Sequence, residues 1–126
     1  CWGFNNRTVA MRIPHSDEKN VRIEHRIAGA DANPYLVTAA VLAGILHGLD
    51  SKGDPGPAIV GNAYEQTEQR QLFWRDTIND FMASAFMKDM FGAEFQHVYG
   101  QQKLKEMRSF YTEVTTLEYA WYLRSV

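Results

Sequence analysis

Cys1 is the only thiol in this 126-residue chain. Neither an internal disulfide nor a cysteine-ligated zinc site can be built, and a reducing, cytoplasmic setting is expected. Charge of one sign is also scarce, since thirteen Lys and Arg stand against fifteen Asp and Glu for a formal charge of −2. No broad basic field exists to hold nucleic acid or an anionic membrane, so any recognition of phosphate has to be local. The most apolar stretch, Tyr35 to Leu49, is interrupted by Gly44, His47 and Gly48, and it is shorter than the roughly 20 residues a membrane helix needs. No charged segment followed by an apolar one opens the chain, so no signal peptide is expected. With Cys rather than Met at position 1, the expectation is a chain that starts inside a longer protein. What is abundant is apolar matter: 45% hydrophobic and 13% aromatic residues suffice for one modest domain and exceed what a disordered segment carries.

Thr8 to Ile13 (TVAMRI) and Asn20 to Ile27 (NVRIEHRI) read as two short strands joined by the polar stretch His15 to Lys19. Two strands make no stable sheet alone. No later segment reads as a third strand, so the missing partners are expected upstream of Cys1. Asn33 followed by Pro34 is a helix-opening pair, and it predicts a helix from about Pro34 to Leu49. That helix is apolar nearly all round and should be covered on more than one side. Asp50 to Gln69, with Asp54-Pro55, Gly56-Pro57 and Gly61-Asn62, reads as a long loop. Beyond it, Phe73 to Ala83, Ala85 to Phe91, Glu94 to Tyr111 and Thr115 to Arg124 favour helix, with Gly92 as a stop. The fold class is α+β: a short hairpin completing a larger sheet, then a mainly helical region.

The chemistry concentrates in Arg22-Ile23-Glu24-His25-Arg26. A strand sends alternate side chains to opposite faces, so Arg22, Glu24 and Arg26 share one face while Val21, Ile23, His25 and Ile27 share the other. One carboxylate between two guanidiniums suits a polyanion with a metal ion, because Arg grips oxyanions with a planar fork and Glu can ligate Mg²⁺. The plain alternative is a salt-bridge ladder on a solvated sheet face. Asn6-Arg7-Thr8 and Arg12-Ile13-Pro14 bring two further guanidiniums to the same hairpin, a repulsive crowd unless an anion sits among them. Arg7 and Arg12 have opposite strand parity, so they face one way only if a bulge or the strand start intervenes.

Asn6-Arg7-Thr8, Arg12-Ile13-Pro14, Arg22-x-Glu24-x-Arg26 and Asn33-Pro34-Tyr35-Leu36 before a small-residue-rich helix together resemble the C-terminal part of the glutamine synthetase family. Asp54-Pro55-Gly56-Pro57, Gly61-Asn62-Ala63-Tyr64, Val114-Thr115, Glu118 and Tyr122-Leu123 are similar to its γ-glutamylputrescine synthetase branch. The resemblance implies that residues 1–126 are the C-terminal portion of a catalytic domain whose remainder, with an N-terminal domain, lies upstream. It also implies an ATP-dependent ligase that joins the γ-carboxylate of glutamate to ammonia or an amine, such as a polyamine, through a γ-glutamyl phosphate. By position, Glu24 matches a ligand of Mg²⁺ or Mn²⁺, Arg26 and Arg7 match arginines on the substrate side, and Arg12, Lys19 and Arg22 match nucleotide-binding positions. A homo-oligomeric ring of cytoplasmic subunits is implied as well.

One Glu cannot supply the roughly six oxygen donors such an ion needs, so the isolated fragment is expected to be inactive. No histidine is assigned a role: His25 lies on the apolar side of its strand, and His15, His47 and His97 lack ligand-like spacing. Tyr64 falls near a regulatory tyrosine of some bacterial relatives, but its Glu65-Gln66-Thr67 context departs from theirs, and no modification is expected. The stripe Phe81, Phe86, Met87, Met90, Phe91, Phe95 and Tyr99, like Trp121 and Tyr122, reads as helical core or subunit contact. Two rivals stand beside the ligase: a non-catalytic structural or regulatory relative, and a self-folding anion-binding helical module.

Overall fold

The computed structural model describes residues 1–67 and 73–125, which fall into two compact units, Cys1–Arg70 and Gln71–Val126. The first carries a three-stranded sheet, β1 (Trp2–Phe4), β2 (Met11–Ile13) and β3 (Glu24–His25), and the helix α1 (Pro34–Ser51). The second is helical: α2 (Trp74–Ala83), α3 (Ala85–Phe91), α4 (Ala93–Tyr111) and α5 (Thr116–Tyr122). The α+β, mostly helical class expected from the sequence is the one observed.

The sheet differs from the expected hairpin in one informative way. Its third strand is internal: β1 pairs in parallel with β2, Gly3 opposite Arg12, while β2 pairs antiparallel with β3, Met11 opposite His25 and Arg12 opposite Glu24. A parallel pair ordinarily needs a crossover of a dozen residues or more, yet here residues 5–10 make the return. Asn5 takes a left-handed backbone, φ +47°, and the Asn6 carboxamide oxygen accepts from the Thr8 N–H at 2.9 Å and from its hydroxyl at 2.7 Å. That turn shortens the expected Thr8–Ile13 strand from its front. The expected Asn20–Ile27 strand loses its front to a 3-10 turn at Glu18–Asn20, where Asp17 accepts from the Lys19 N–H.

The segment after α1 supports β1 from the other side. α1 runs two residues past the expected Leu49 and stops at Lys52 in the left-handed conformation. The Ile59 N–H then donates to the Trp2 carbonyl at 2.8 Å, and the Trp2 indole N–H donates to the Gly56 carbonyl at 2.9 Å. A Cβ at Gly3 would lie 2.8 Å from the Ile59 carbonyl oxygen, so glycine is what allows this approach. The expected long loop is thus partly ordered, including a 3-10 turn at Ala63–Glu65 capped by Asn62. Its final residues, Glu68 and Gln69, lie outside the described residues.

Asn33 caps α1 as expected, its side chain accepting from the Tyr35 and Leu36 N–H groups. Among the described residues of the first unit nothing supplies the covering expected for this helix, and Ala43 is its one buried residue. Val37, Val41 and Ile45 line an open apolar cavity of about 550 Å³ with Met11, Ile23 and Ile27 from the sheet. His25 lies on this apolar side, as its parity requires. The expectation that this segment is too short for a membrane span rests on Tyr35 to Leu49; as the 18-residue helix Pro34–Ser51, α1 is long and apolar enough by length and composition alone, a test that core helices of soluble proteins also pass.

In the helical unit, α2 and α4 meet at the buried Ile78, Gly100 and Met107. A Cβ on Gly100 would fall 2.5 Å from the Met82 side chain, so the two helices approach closely there. Phe81 packs edge-on against Tyr99 at 5.4 Å, while Phe91, Phe95 and Tyr99 stack in succession. This part of the aromatic stripe is helix–helix contact, as expected. Gly92, at φ +86°, ends α3, and Thr115 with Glu118 forms a capping box for α5. The buried Gln96 amide donates to the Phe81 carbonyl at 2.7 Å and the Ser84 carbonyl at 2.8 Å, tying the α2–α3 corner to α4. Gln96→Ala in the full-length protein should therefore cost about 1–3 kcal/mol, read as a lower denaturation midpoint. An unchanged midpoint would remove that role.

Candidate active site

Arg12 on β2 and Glu24 on β3 are direct cross-strand partners, which puts both side chains on one face of the sheet. Arg22 and Arg26 lie two residues to either side of Glu24 and reach the same face. The resulting cluster has Glu24 at its centre. Its Oε2 accepts from Arg12 Nη1 at 2.9 Å and lies 4.0 Å from Arg26 Nη1, while its Oε1 lies 3.8 Å from Arg22 Nη2. The shared face expected from alternation is what the structure contains.

One carboxylate facing three guanidiniums leaves an excess of positive charge at a half-buried spot, and an oxyanion would relieve it. The electrostatics show in the carboxyl group itself. The Arg12 hydrogen bond holds Glu24 below the ordinary glutamate range; partial desolvation works against this, and the charges of Arg12, Arg22 and Arg26 reinforce it. Glu24 is therefore ionised at neutral pH.

Arg7 makes no ion pair with Glu24 and meets the cluster only as a shared lining of cavities with Arg12 and with Arg26. It sits in the turn between β1 and β2, so the alternation rule does not apply to it. It lines two open cavities: one of about 580 Å³ with Arg12, Asn5, Phe4 and Ile59, and one of about 370 Å³ with Arg26, Thr8, Tyr64 and Thr67. The turn that carries it is pinned on both sides of Arg7 by the segment 59–63. Asn6 Nδ2 donates to the Gly61 carbonyl at 2.8 Å and the Ile59 carbonyl at 3.3 Å, and the Thr8 hydroxyl accepts from the Ala63 N–H at 2.8 Å. Lys19 stands apart on its exposed 3-10 turn, and Glu24 pairs with the three arginines and not with it.

One contributor to this arrangement is not singled out by the sequence, Asn5, while Asn6, part of the Asn6-Arg7-Thr8 motif, gains the turn-closing role that the motif alone does not show. The available signal was the Asn-Asn pair ahead of Arg7, since asparagine tolerates the left-handed region and closes turns with its own side chain. For a metal ion the donor set is insufficient: among the described residues no group of three or more His, Cys, Asp or Glu comes together. Glu24 can offer one ligand at most. The residues present suit an anion on a bed of arginines.

The family model described as "Glutamine synthetase, catalytic domain" matches residues 1–122. The gamma-glutamylputrescine synthetase of Escherichia coli is 43% identical over 125 residues, covering 98% of this chain and 26% of that protein. The glutamate–isopropylamine ligase of a Pseudomonas species is 37% identical over 126 residues, 97% of this chain and 28% of the relative. A glutamine synthetase of Archaeoglobus fulgidus is 29% identical over 133 residues, 97% of this chain and 27% of the relative. The chain thus spans about a quarter of the length of the curated relatives it matches.

Proposed function

This chain belongs to the glutamine synthetase family, and from that premise we propose that residues 1–126 form the C-terminal portion of the catalytic domain of an ATP-dependent ligase. The full-length protein joins the γ-carboxylate of glutamate to ammonia or an amine. A γ-carboxylate oxygen attacks the terminal phosphorus of ATP, forming a P–O bond as the bond to ADP breaks. The amine lone pair then attacks the acyl carbon, a C–N bond forms, the C–O bond to phosphate breaks, and the amine gives up a proton. Phosphoryl transfer of this kind asks for positioned cations around the moving oxygens more than for a nucleophilic side chain.

The observation that carries this reading is the Glu24 cluster, with three guanidiniums within 4.0 Å of one carboxylate. In the proposed assignment Arg26 and Arg7 hold the γ-carboxylate or the acyl phosphate, and Arg12 and Arg22 hold nucleotide phosphates. Lys19 is assigned to the nucleotide as well. Glu24 gives one ligand to Mg²⁺ or Mn²⁺, which needs further donors from outside these residues, and no step is assigned through the ion. The fragment alone is inactive on this reading. The whole enzyme is a cytoplasmic homo-oligomeric ring that uses neither nucleic acid nor a membrane.

The acceptor is an alkylamine, polyamines such as putrescine included; two of the relatives are named for a polyamine and for isopropylamine. The test is ADP release by the full-length protein with ATP, Mg²⁺ and glutamate, comparing ammonium, putrescine and a panel of monoamines. Release stimulated by putrescine or a monoamine well above ammonium is expected. Stimulation by ammonium alone would overturn the acceptor. No release with any of them, from folded and metal-loaded protein, would favour a non-catalytic relative.

A further inference from the structure

We propose that Asn5 is a positioning residue that fixes the Arg12 guanidinium in the orientation needed for an anionic ligand; this rests on the nucleotide role given to Arg12. Among the described residues, the non-glycine positions with positive φ are Asn5 at +47° and Lys52 at +50°. Lys52 is accounted for as the left-handed stop of α1. Asn5 ends no helix. Its backbone N–H donates to the Ile13 carbonyl at 2.8 Å, continuing the β1–β2 ladder by one residue. The left-handed turn follows at once, and the side-chain oxygen accepts from Arg12 Nη2 at 2.6 Å. That backbone, which asparagine adopts more readily than most residues, aims its side chain at Arg12.

The two terminal nitrogens of Arg12 are thus gripped from different sides. Nη1 is held by Glu24 and Nη2 by Asn5, so the plane of the guanidinium is set by two contacts from two strands' ends. The side chain is 14% exposed, and its Nε is buried with no partner among the described residues. Without Asn5 a single contact would remain, and the group could swing about it. Both Asn5 and Arg12 line the cavity of about 580 Å³ that Arg7 also lines. The ligand class is a phosphate-bearing nucleotide, and Asn5 acts on it through Arg12.

The test measures the affinity of the full-length protein for a non-hydrolysable ATP analogue by calorimetry, together with a thermal melt. Asn5→Gly removes the side-chain acceptor while favouring the left-handed backbone. It is expected to lower the melting temperature only slightly, because the lost contact is an exposed one, and to weaken the analogue by up to about tenfold, the scale of one charge-assisted hydrogen bond. Asn5→Asp keeps an acceptor at the same place and tolerates the same backbone, so it is expected to restore binding to within about threefold. A merely structural role would move the melt and not the affinity. If Arg12→Ala weakens the analogue and Asn5→Gly does not, the positioning role is overturned. If neither variant changes binding, the nucleotide role of Arg12 fails and the Asn5 proposal fails with it.

Discussion

Ligase turnover of the full-length protein is expected to fall about a hundredfold or more when Glu24 is replaced by alanine, the scale for losing one preorganised charge contact at a reacting centre. Three guanidiniums lie within 4.0 Å of this carboxylate. Without it they face one another with nothing between them, and Arg12, the least exposed of the three, loses the contact to its Nη1. The cluster should then splay, and any metal ligand that Glu24 supplied is gone. Glu24→Gln separates the two effects. It can still accept from Arg12, so the melt should stay near that of the parent protein while turnover stays low. Undiminished turnover in both variants would sink the assignment. Acidification gives an independent reading. Because the folded carboxyl titrates below the ordinary glutamate range, the contribution of its ionised form to stability is fully present above that range. It is lost only as the pH falls through the lower folded value. Carbon-detected NMR of the Glu24 side chain should find a midpoint below the ordinary one, and Arg12→Ala should raise it.

The parts of this arrangement that the sequence exposes are those set by neighbours a few residues away. Alternation alone places Arg22, Glu24 and Arg26 on one face, and Asn33-Pro34 alone opens α1, because both signals act within a single turn or strand. Gly92 and Thr115 mark helix ends for the same reason. β1 is hidden because nothing local makes it a strand. It is three residues long with Gly3 at its centre, and it is held by the Ile59 N–H and by Gly56, more than fifty residues away. Arg7 was ambiguous for a related reason: parity governs strands, and Asn6 folds its neighbourhood into a turn. The Asn5 contact to Arg12 joins residues only seven apart, yet it depends on the parallel return between β1 and β2 and so cannot be read from spacing. The cover expected over α1 came from its all-round apolar composition. Residues 1–67 form a sheet on one side of a shallow apolar cavity and leave Leu42, Leu46 and Leu49 exposed.

Arg26 is where the proposed chemistry is most exposed to refutation. Its guanidinium lies 4.0 Å from Glu24, beyond hydrogen-bond distance as is that of Arg22 at 3.8 Å, and it lines the same cavity as Arg7, Thr8 and Tyr64. A group held so weakly by its own protein keeps its donors available for an incoming oxyanion. Charge builds on the acyl phosphate oxygens as the amine attacks, so a contact made there is worth more in the transition state than with bound substrate. Arg26→Ala should therefore lower kcat about a hundredfold, with a smaller effect on the KM for glutamate. Arg26→Lys should recover only part of the loss, because a compact ammonium cannot reproduce the planar fork that grips two oxygens at once. Arg22→Ala supplies the contrast. That side chain is more exposed, 57% against 36%, and on the nucleotide assignment its loss should raise the KM for ATP more than it lowers kcat. Measuring kcat and both KM values for the three variants distinguishes the roles. Equal and small effects at Arg22 and Arg26 would reduce the cluster to a surface salt-bridge ladder, and a loss of kcat confined to Arg26 would place it at the reacting carbonyl.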